Sequence, residues 1–437
     1  MPHKTRLVLF YSFVLIFLAL GSLVLAFSYG WRIDFETGKI QKIGAIYIKT
    51  NLRDVTIKIN DKIYPDASGL LQSGTLISNL LPKTYRVTID KTGYLPYRKT
   101  VTVQPSRVEE LLNVQLIPET FDETFIAPAK GTAFIDATES ADKMILQNAT
   151  SGTYYLYDRT NASSTLNLTM AIANAKRGQK IKRIAFVPFK PTQFIIEDAS
   201  GLKLFDSEKK TVESLLNASI VYWNMNGSTI IGAETAGGVS SQGKPSTTAK
   251  KTQRLFMFNL VFRSKTVLDD LNTQLTPSTS IAAIDATDNF GMIAYSDTKG
   301  TLSLFTAKDK TLRQIADNVR SFTFSPDGKK LLILGASGHP TILFVEDFDG
   351  DIRKKAGDTI NVALPHPELT TTVHWYADSY HLLVEQHSEL FITELDDRKP
   401  LNIFPLIANF IDYHYIPQDR SIYITDTQGI QMIRIER

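Results

Sequence analysis

Six of the seven histidines fall between His339 and His414, and three of them, His374, His381 and His387, crowd into one short stretch. Metal chemistry would need three such side chains, or two and a carboxylate, converging within bonding distance. A period-two reading puts His374 on one strand, just before Trp375-Tyr376, and His381 at the start of the next, so the two rings could be neighbours. Ordinary strand packing accounts for that spacing equally well, and no metal is expected. Asp347-Phe348-Asp349-Gly350-Asp351 carries carboxylates at calcium-like spacing, but the EF-hand order is not met and its closing Glu is missing. A solvated hairpin turn is the expectation there. Zinc-protease, nucleophile-elbow, P-loop and dinucleotide-binding motifs are all absent, so no catalytic or cofactor-binding residue is assigned.

Composition narrows the chemistry further. The 437 residues include no cysteine, which removes thiol catalysis, disulfides, iron–sulfur clusters and Cys-ligated zinc. Lys and Arg number 48 against 45 Asp and Glu, a net charge of +3. That balance gives no electrostatic grip on nucleic acid. Hydrophobic residues make up 43% and charged residues 21%, a globular balance. Five Asn-x-Ser/Thr matches, at Asn148, Asn161, Asn167, Asn217 and Asn226, fit the glycosylation sequon and fall in polar stretches.

The elements that would position these residues begin with Leu7–Trp31, an uncharged run flanked by Lys4 and Arg6 on one side and by nearly cancelling charges on the other. As a helix it would extend about 37 Å, enough to cross a bilayer. The positive-inside bias predicts a signal anchor at 7–31, a cytoplasmic tail at 1–6, and the bulk of the chain outside the membrane. Val24-Leu25-Ala26 offers a cleavage site as the alternative.

A β domain is expected over 32–118, where from Gly44 to Pro118 the pattern turns to period two. Ile46/Ile48, Val55/Ile57/Ile59, Val87/Ile89 and Val101/Val103 predict short antiparallel strands with one buried face, a small β-sandwich. GAIYIKT, VTIKIND, LLPKTYRVTIDKTGYLPYRKTVTV and the closing LNVQLIP resemble the PEGA domain of envelope proteins, although Asn51-Leu52-Arg53-Asp54 stands where that family carries its signature. The resemblance implies an extracytoplasmic adhesive or spacer module and carries over no catalytic residue.

After a Pro/Glu/Thr/Asp stretch at 119–130, one unit recurs through 131–437. A polar turn leads into an apolar strand, as in ADKMILQ, KPTQFIIE, NGSTIIG, DNFGMIAY, DGKKLLIL, DSYHLLVE and DRSIYIT. A second strand follows each (YYLYD, LKLFD, LFMFNL, LSLFTA, ILFVED, LFITEL, IQMIRI), at a mean period near 46 residues. Seven such units predict a seven-bladed β-propeller. The polar stretch 235–252 reads as a loop on the third blade. Fourth strands are expected at TLNLT, TVESLL, TVLDDL, TLRQIA and PLNIF, with the fifth blade's near Asp351–Lys355. The seventh unit stops after its third strand, so Phe121–Ala127 is expected to close the ring. Phe324-Ser325-Pro326-Asp327-Gly328-Lys329-Lys330 resembles TolB-like and WD-type propeller turns.

Propellers bind ligands at the funnel mouth, and residues just before each innermost strand (Arg183, Ser219, Ser280, Arg320, Thr372 and Asn409) are the candidates. The two arginines would favour an anionic ligand. The whole predicts an all-β protein of the cell membrane: one N-terminal transmembrane helix, a PEGA-like β-sandwich and a seven-bladed propeller. The expected role is non-enzymatic scaffolding or binding, with the membrane and an envelope protein or cell-wall glycan as partners. The alternative is an envelope polysaccharide or peptide hydrolase or lyase, which a buried funnel carboxylate with a raised pKa would favour.

Overall fold

A computed structural model describes residues 3–69, 73–128, 132–161, 165–176, 180–217, 220–236, 252–276, 279–350 and 352–436. Ser219, Asp351 and nearly all of the 235–252 loop lie outside these residues. The chain divides into two compact units. One comprises Met1–Thr120 with Asp349–Arg353 and Asp396–Phe404; the other comprises Phe121–Phe348, Lys354–Leu395 and Pro405–Arg437.

The first unit opens with a helix over His3–Ser28. Its Thr5–Ser28 portion is long and apolar enough to span a membrane, with large side chains such as Phe10, Leu15 and Phe17 exposed around it. The helix ends earlier than the uncharged run: Trp31–Ile33 turns into a strand that pairs with Ile40–Lys42. Gly30, at φ +83°, makes that reversal, a conformation favoured by a residue without a Cβ.

Two sheets follow. Gly44–Thr50 is flanked by Thr75–Leu80 and Val108–Val114; Thr56–Ile59, Lys62–Pro65, Thr84–Asp90 and Tyr97–Thr102 make the second sheet. The alternating residues of the sequence all face the common core, among them Ile46, Ile48, Ile57, Val87, Ile89 and Val101. One pairing departs from the antiparallel expectation: Gly44–Thr50 and Val108–Val114 run parallel, because the chain crosses to the other sheet and returns before it pairs. Lys99 is fully buried in this unit. Its ammonium donates to the carbonyls of Asp396 (2.9 Å), Arg398 (2.7 Å) and Pro400 (3.5 Å), and the Asp396 carboxylate lies 3.9 Å away. A buried cation needs such a cage.

The second unit is a β-propeller of seven four-stranded antiparallel sheets taken in chain order. Their innermost strands are Thr132–Ala137, Arg183–Val187, Ile220–Asn226, Ile281–Ala286, Val319–Phe324, Thr370–Trp375 and Asp412–Ile416, which define blades 1 to 7. Blade 7 takes Ser421–Thr425 and Gly429–Arg434 from the end of the chain. Its outer strand is Thr124–Pro128, which pairs with Gly429–Arg434 and so joins the start of the ring to its end. Apolar clusters sit between successive blades, as where Val187, Leu204 and Trp223 of blades 2 and 3 meet Phe256 and Leu260. Each blade therefore buries its faces against its neighbours.

The fourth strands show the largest differences from expectation. In blade 1 only Leu166–Asn167 is strand, and Leu168–Ala175 is helix, started by the Asn167 side chain accepting from the Met170 amide at 2.9 Å. In blade 3 the strand is Ser264–Val267, and Asp269–Asn272 turns helical. Blade 5 takes Thr359–Asn361 as its fourth strand rather than the Asp351–Lys355 region, because Phe348–Asp349 and Arg353–Lys354 form their own two-stranded ribbon first.

Candidate functional site

Alternate residues of an innermost strand face the propeller channel. Counting inward from the turn that joins the first and second strands, the register places Asp136 opposite Ile145, Ala185 opposite Ile195 and Asn224 opposite Ile231. The same position is Asp285 opposite Ala294, Thr323 opposite Leu332, His374 opposite Leu383 and His414 opposite Tyr423. One layer of the channel thus carries two Asp, two His, an Asn, a Thr and an Ala.

All seven line two adjoining cavities, of about 900 Å³ and 440 Å³, which share walls at Met225, His414, Tyr415 and Pro417. The larger is bounded by turns of blades 3, 4 and 5 and by strand ends of blades 6 and 7; the smaller lies against blades 1, 2, 3 and 7.

The two aspartates are clamps. Asp285 accepts from the Ala286 amide (2.9 Å) and, across the blade boundary, from the Phe324 amide (2.8 Å) and Thr323 hydroxyl (3.0 Å). Asp136 does the same between blades 1 and 2, accepting from the Ala137 (2.9 Å) and Phe186 (2.8 Å) amides. Burial nevertheless dominates: it raises the carboxyl of Asp285 above its ordinary range and that of Asp136 to about 6.

The histidines respond in the other direction. His414 packs its ring 4.6 Å from that of Phe134, and burial, with His374 nearby, lowers it to about 4. His374, edge-on to Tyr413 at 5.8 Å, is also lowered by burial. It is exposed to the lumen, and it forms no side-chain hydrogen bond among the described residues. Both imidazoles are therefore neutral at neutral pH.

The sequence candidates mark a different level of the channel. Arg183 lies on the same strand face as Ala185 and lines the smaller cavity, but its guanidinium is engaged: it donates to the Trp223 carbonyl at 2.6 Å and lies 4.2 Å over that ring. The Arg320 guanidinium donates to the Thr370 (2.7 Å) and Ala336 (3.0 Å) carbonyls. Thr372 donates to Glu385 at 2.8 Å and shares a 2.9 Å hydrogen bond with the Tyr413 hydroxyl. Ser280 and Asn409 sit in the loops that enter blades 4 and 7. Ser219 is outside the described residues. Of the five that are described, only Arg183 borders either cavity.

His374 and His381 are not brought together. His374 faces the lumen, whereas His381 pairs with Asp378 at 2.6 Å in the turn and sits against Tyr376. His387 is in the next turn, at φ +50°. No group of three potential metal ligands assembles among the described residues.

The sequence did hold a signal for the lumen layer. Ile135-Asp136-Ala137-Thr138 and Ile284-Asp285-Ala286-Thr287 are the same tetrapeptide at the same point of two blades.

No protein-family model and no curated protein matches this chain. Solved structures do. The oligogalacturonate lyase of Vibrio parahaemolyticus is 11% identical, with a TM-score of 0.50 over 72% of this chain and 94% of that one. An oligogalacturonate lyase in complex with manganese is 13% identical, with a TM-score of 0.49 over 72% and 96%. The Swd1 β-propeller domain of Myceliophteria thermophila is 10% identical, with a TM-score of 0.46 over 72% and 98%. At these identities the likeness extends to the fold and no further.

Proposed function

We propose that this chain is a membrane-anchored binding protein of the bacterial cell envelope. In this reading the N-terminus is cytoplasmic and both β units are extracytoplasmic. The propeller is an interaction platform for an envelope protein or cell-wall glycan, of the TolB-like and WD-type kind that the Ser325–Lys330 turn resembles. The first β unit is a PEGA-like spacer, a reading that rests on its strand sequences and its two-sheet build.

The observation that carries the proposal is the state of the lumen layer. Side chains from six blades give the cavities a polar wall, yet both aspartates are spent on amides of adjoining strands. Such a wall suits recognition, where polar groups fix orientation within a concave site.

A second reading is favoured by one specific observation. Asp136, raised to about 6, could hold or release a proton near neutrality, as an acid–base residue must. On that reading the propeller is an envelope polysaccharide or peptide hydrolase or lyase, and oligogalacturonate is the first substrate to try.

The test sets binding against turnover. Full-length protein in an uncharged detergent is immobilised and exposed to envelope extracts and glycan fragments, and the same fragments are analysed for cleavage. Retention without cleavage, weakened by His374→Ala, supports the platform. Cleavage abolished by Asp136→Asn replaces it with the enzyme.

A further inference from the structure

We infer that the hairpin after the N-terminal helix, Trp31–Lys42, lies in the membrane surface, its apolar face and tip held in the lipid leaflet from which the helix emerges. The inference rests on the anchored reading above and adds a second membrane contact to it. Phe35 is 92% exposed and Ile40 65%, and Trp31 and Ile33 are exposed as well. Large apolar side chains gathered in this way mark a contact surface.

Register sorts the ribbon into two faces. Trp31 stands opposite Lys42 and Ile33 opposite Ile40, so these four share one face, and Arg32 and Gln41 share the other. Arg32 ties that other face to the helix: its guanidinium donates to the Phe27 carbonyl at 2.7 Å and lies 4.4 Å from the Phe27 ring centre. The Ile43 amide donates to the Gly30 carbonyl at 2.9 Å, which closes the base of the ribbon at the helix end. The tip is held as firmly. The buried Asp34 carboxylate accepts from the Glu36 amide (3.0 Å) and the Thr37 hydroxyl (2.7 Å), and this turn leaves Phe35 clear of protein. None of the hairpin side chains joins the apolar core between the two sheets that follow.

Position decides what covers the exposed face. Thr5–Ser28, 24 residues, extends about 36 Å against a hydrocarbon core of about 30 Å, so its end reaches the headgroup layer. Trp31 follows within three residues, and Phe35 is about 13 Å of extended chain beyond it. Lipid is thus the apolar medium nearest to the ribbon. The residue types suit that layer. Tyr29 and Trp31 are exposed rings with one polar atom each, and the Lys42 ammonium lies 5.5 Å from the Trp31 ring centre. A lysine placed so can run its stem along apolar surface and carry its charge to a lipid phosphate. Lys39 is exposed beside the tip, and the turn's exposed carboxylate, Glu36, is paired with Lys83 at 3.3 Å.

The chain has no cysteine, so Phe35→Cys, Ile40→Cys, Phe17→Cys and Asp309→Cys each carry a single nitroxide label. The full-length variants are reconstituted in vesicles of phosphatidylethanolamine and phosphatidylglycerol. Electron paramagnetic resonance reads the collision of each label with oxygen, which concentrates in lipid, and with a water-soluble nickel chelate. Labels at 35 and 40 are expected about 5–10 Å into the boundary between headgroups and acyl chains. That depth falls between the label at 17, in hydrocarbon, and the label at 309, in an exposed turn of blade 4. Tryptophan quenching by lipid brominated near the headgroup, lost in Trp31→Phe, reads the same contact without a label. Labels at 35 and 40 as open to the chelate as that at 309, with the label at 17 in hydrocarbon, overturn the inference and leave the anchor standing. Labels at 35 and 40 shielded from both reagents, and broadened until the protein is diluted with lipid, assign the face to a second copy of the chain and also overturn it. A label at 17 that the chelate reaches removes the anchor and the inference together.

Discussion

Asp136 and His414 face the same lumen and are shifted toward each other from opposite sides. Asp136 rises from 3.8 to about 6 in the folded chain, so its neutral form is favoured. Its contribution to stability is full below pH 3.8 and is lost as pH rises through 6. His414 falls from 6.5 to about 4, so its contribution is full above pH 6.5 and is lost as pH falls through 4. Each is worth about 3 kcal/mol at most, taking 1.36 kcal/mol per unit. Between pH 4 and 6 the two slopes oppose each other and largely cancel. Asp136→Asn is therefore expected to leave stability rising with pH across that window. His414→Phe, which keeps a ring against Phe134, is expected to leave it falling. Denaturation midpoints at pH 4, 5, 6 and 7 would check this, and parallel profiles for the two variants would contradict it.

The second and third strands of each blade, and the turns before them, were legible as elements because burial on both faces leaves apolar runs between polar turns. Outer strands were less so: they are short and half exposed, and in blade 1 the Asn167 cap converts the end of TLNLT into helix. The lumen layer stayed hidden for another reason. Which residue of a strand faces the channel depends on its register, and the bulges between Phe134 and Asp136 and between Val319 and Ser321 shift any count taken from the start of the strand. The Pro-Asp-Gly turn of blade 5 was legible as a turn, but the burial of Lys330 within it was not. Its side chain is fully buried, paired with Asp327 and enclosed by two rings. Lys330→Met should cost about 3 kcal/mol by stranding the carboxylate, and adding Asp327→Asn should recover part of that. Urea midpoints in a double-mutant cycle would read the recovery; additive losses would show the pair to be uncoupled. The closing strand offers a parallel case. Ile126 is buried with Phe134, Tyr423 and Ile430 where blades 1 and 7 meet. Ile126→Ala is expected to cost about 2–4 kcal/mol and to speed amide exchange in Gly429–Arg434 before other blades. Uniform acceleration would show that the junction is no weaker than the rest of the ring.

At the scale of the whole molecule, the N-terminal helix determines where the other parts can act. Its 26 residues extend about 39 Å at 1.5 Å per residue, beyond a hydrocarbon core of about 30 Å. It carries no acidic residue in its first turn and exposes apolar side chains around its circumference, an arrangement that water penalises and lipid does not. Lys4 and Arg6 lie at its start and no basic residue in its last turn, so insertion should hold the charged end inside. The full chain is therefore expected to stay with the membrane through alkaline carbonate extraction, and its propeller to be degraded by protease added outside intact inner-membrane cells stripped of their outer layers. Removing residues 3–28 should release the rest in a folded, extractable form, since those residues contribute nothing to either apolar core that follows. Extraction of the intact chain by carbonate would mean that the helix does not span. Protection of the propeller from external protease would mean that it spans in the opposite direction, and an envelope glycan could then no longer be the partner.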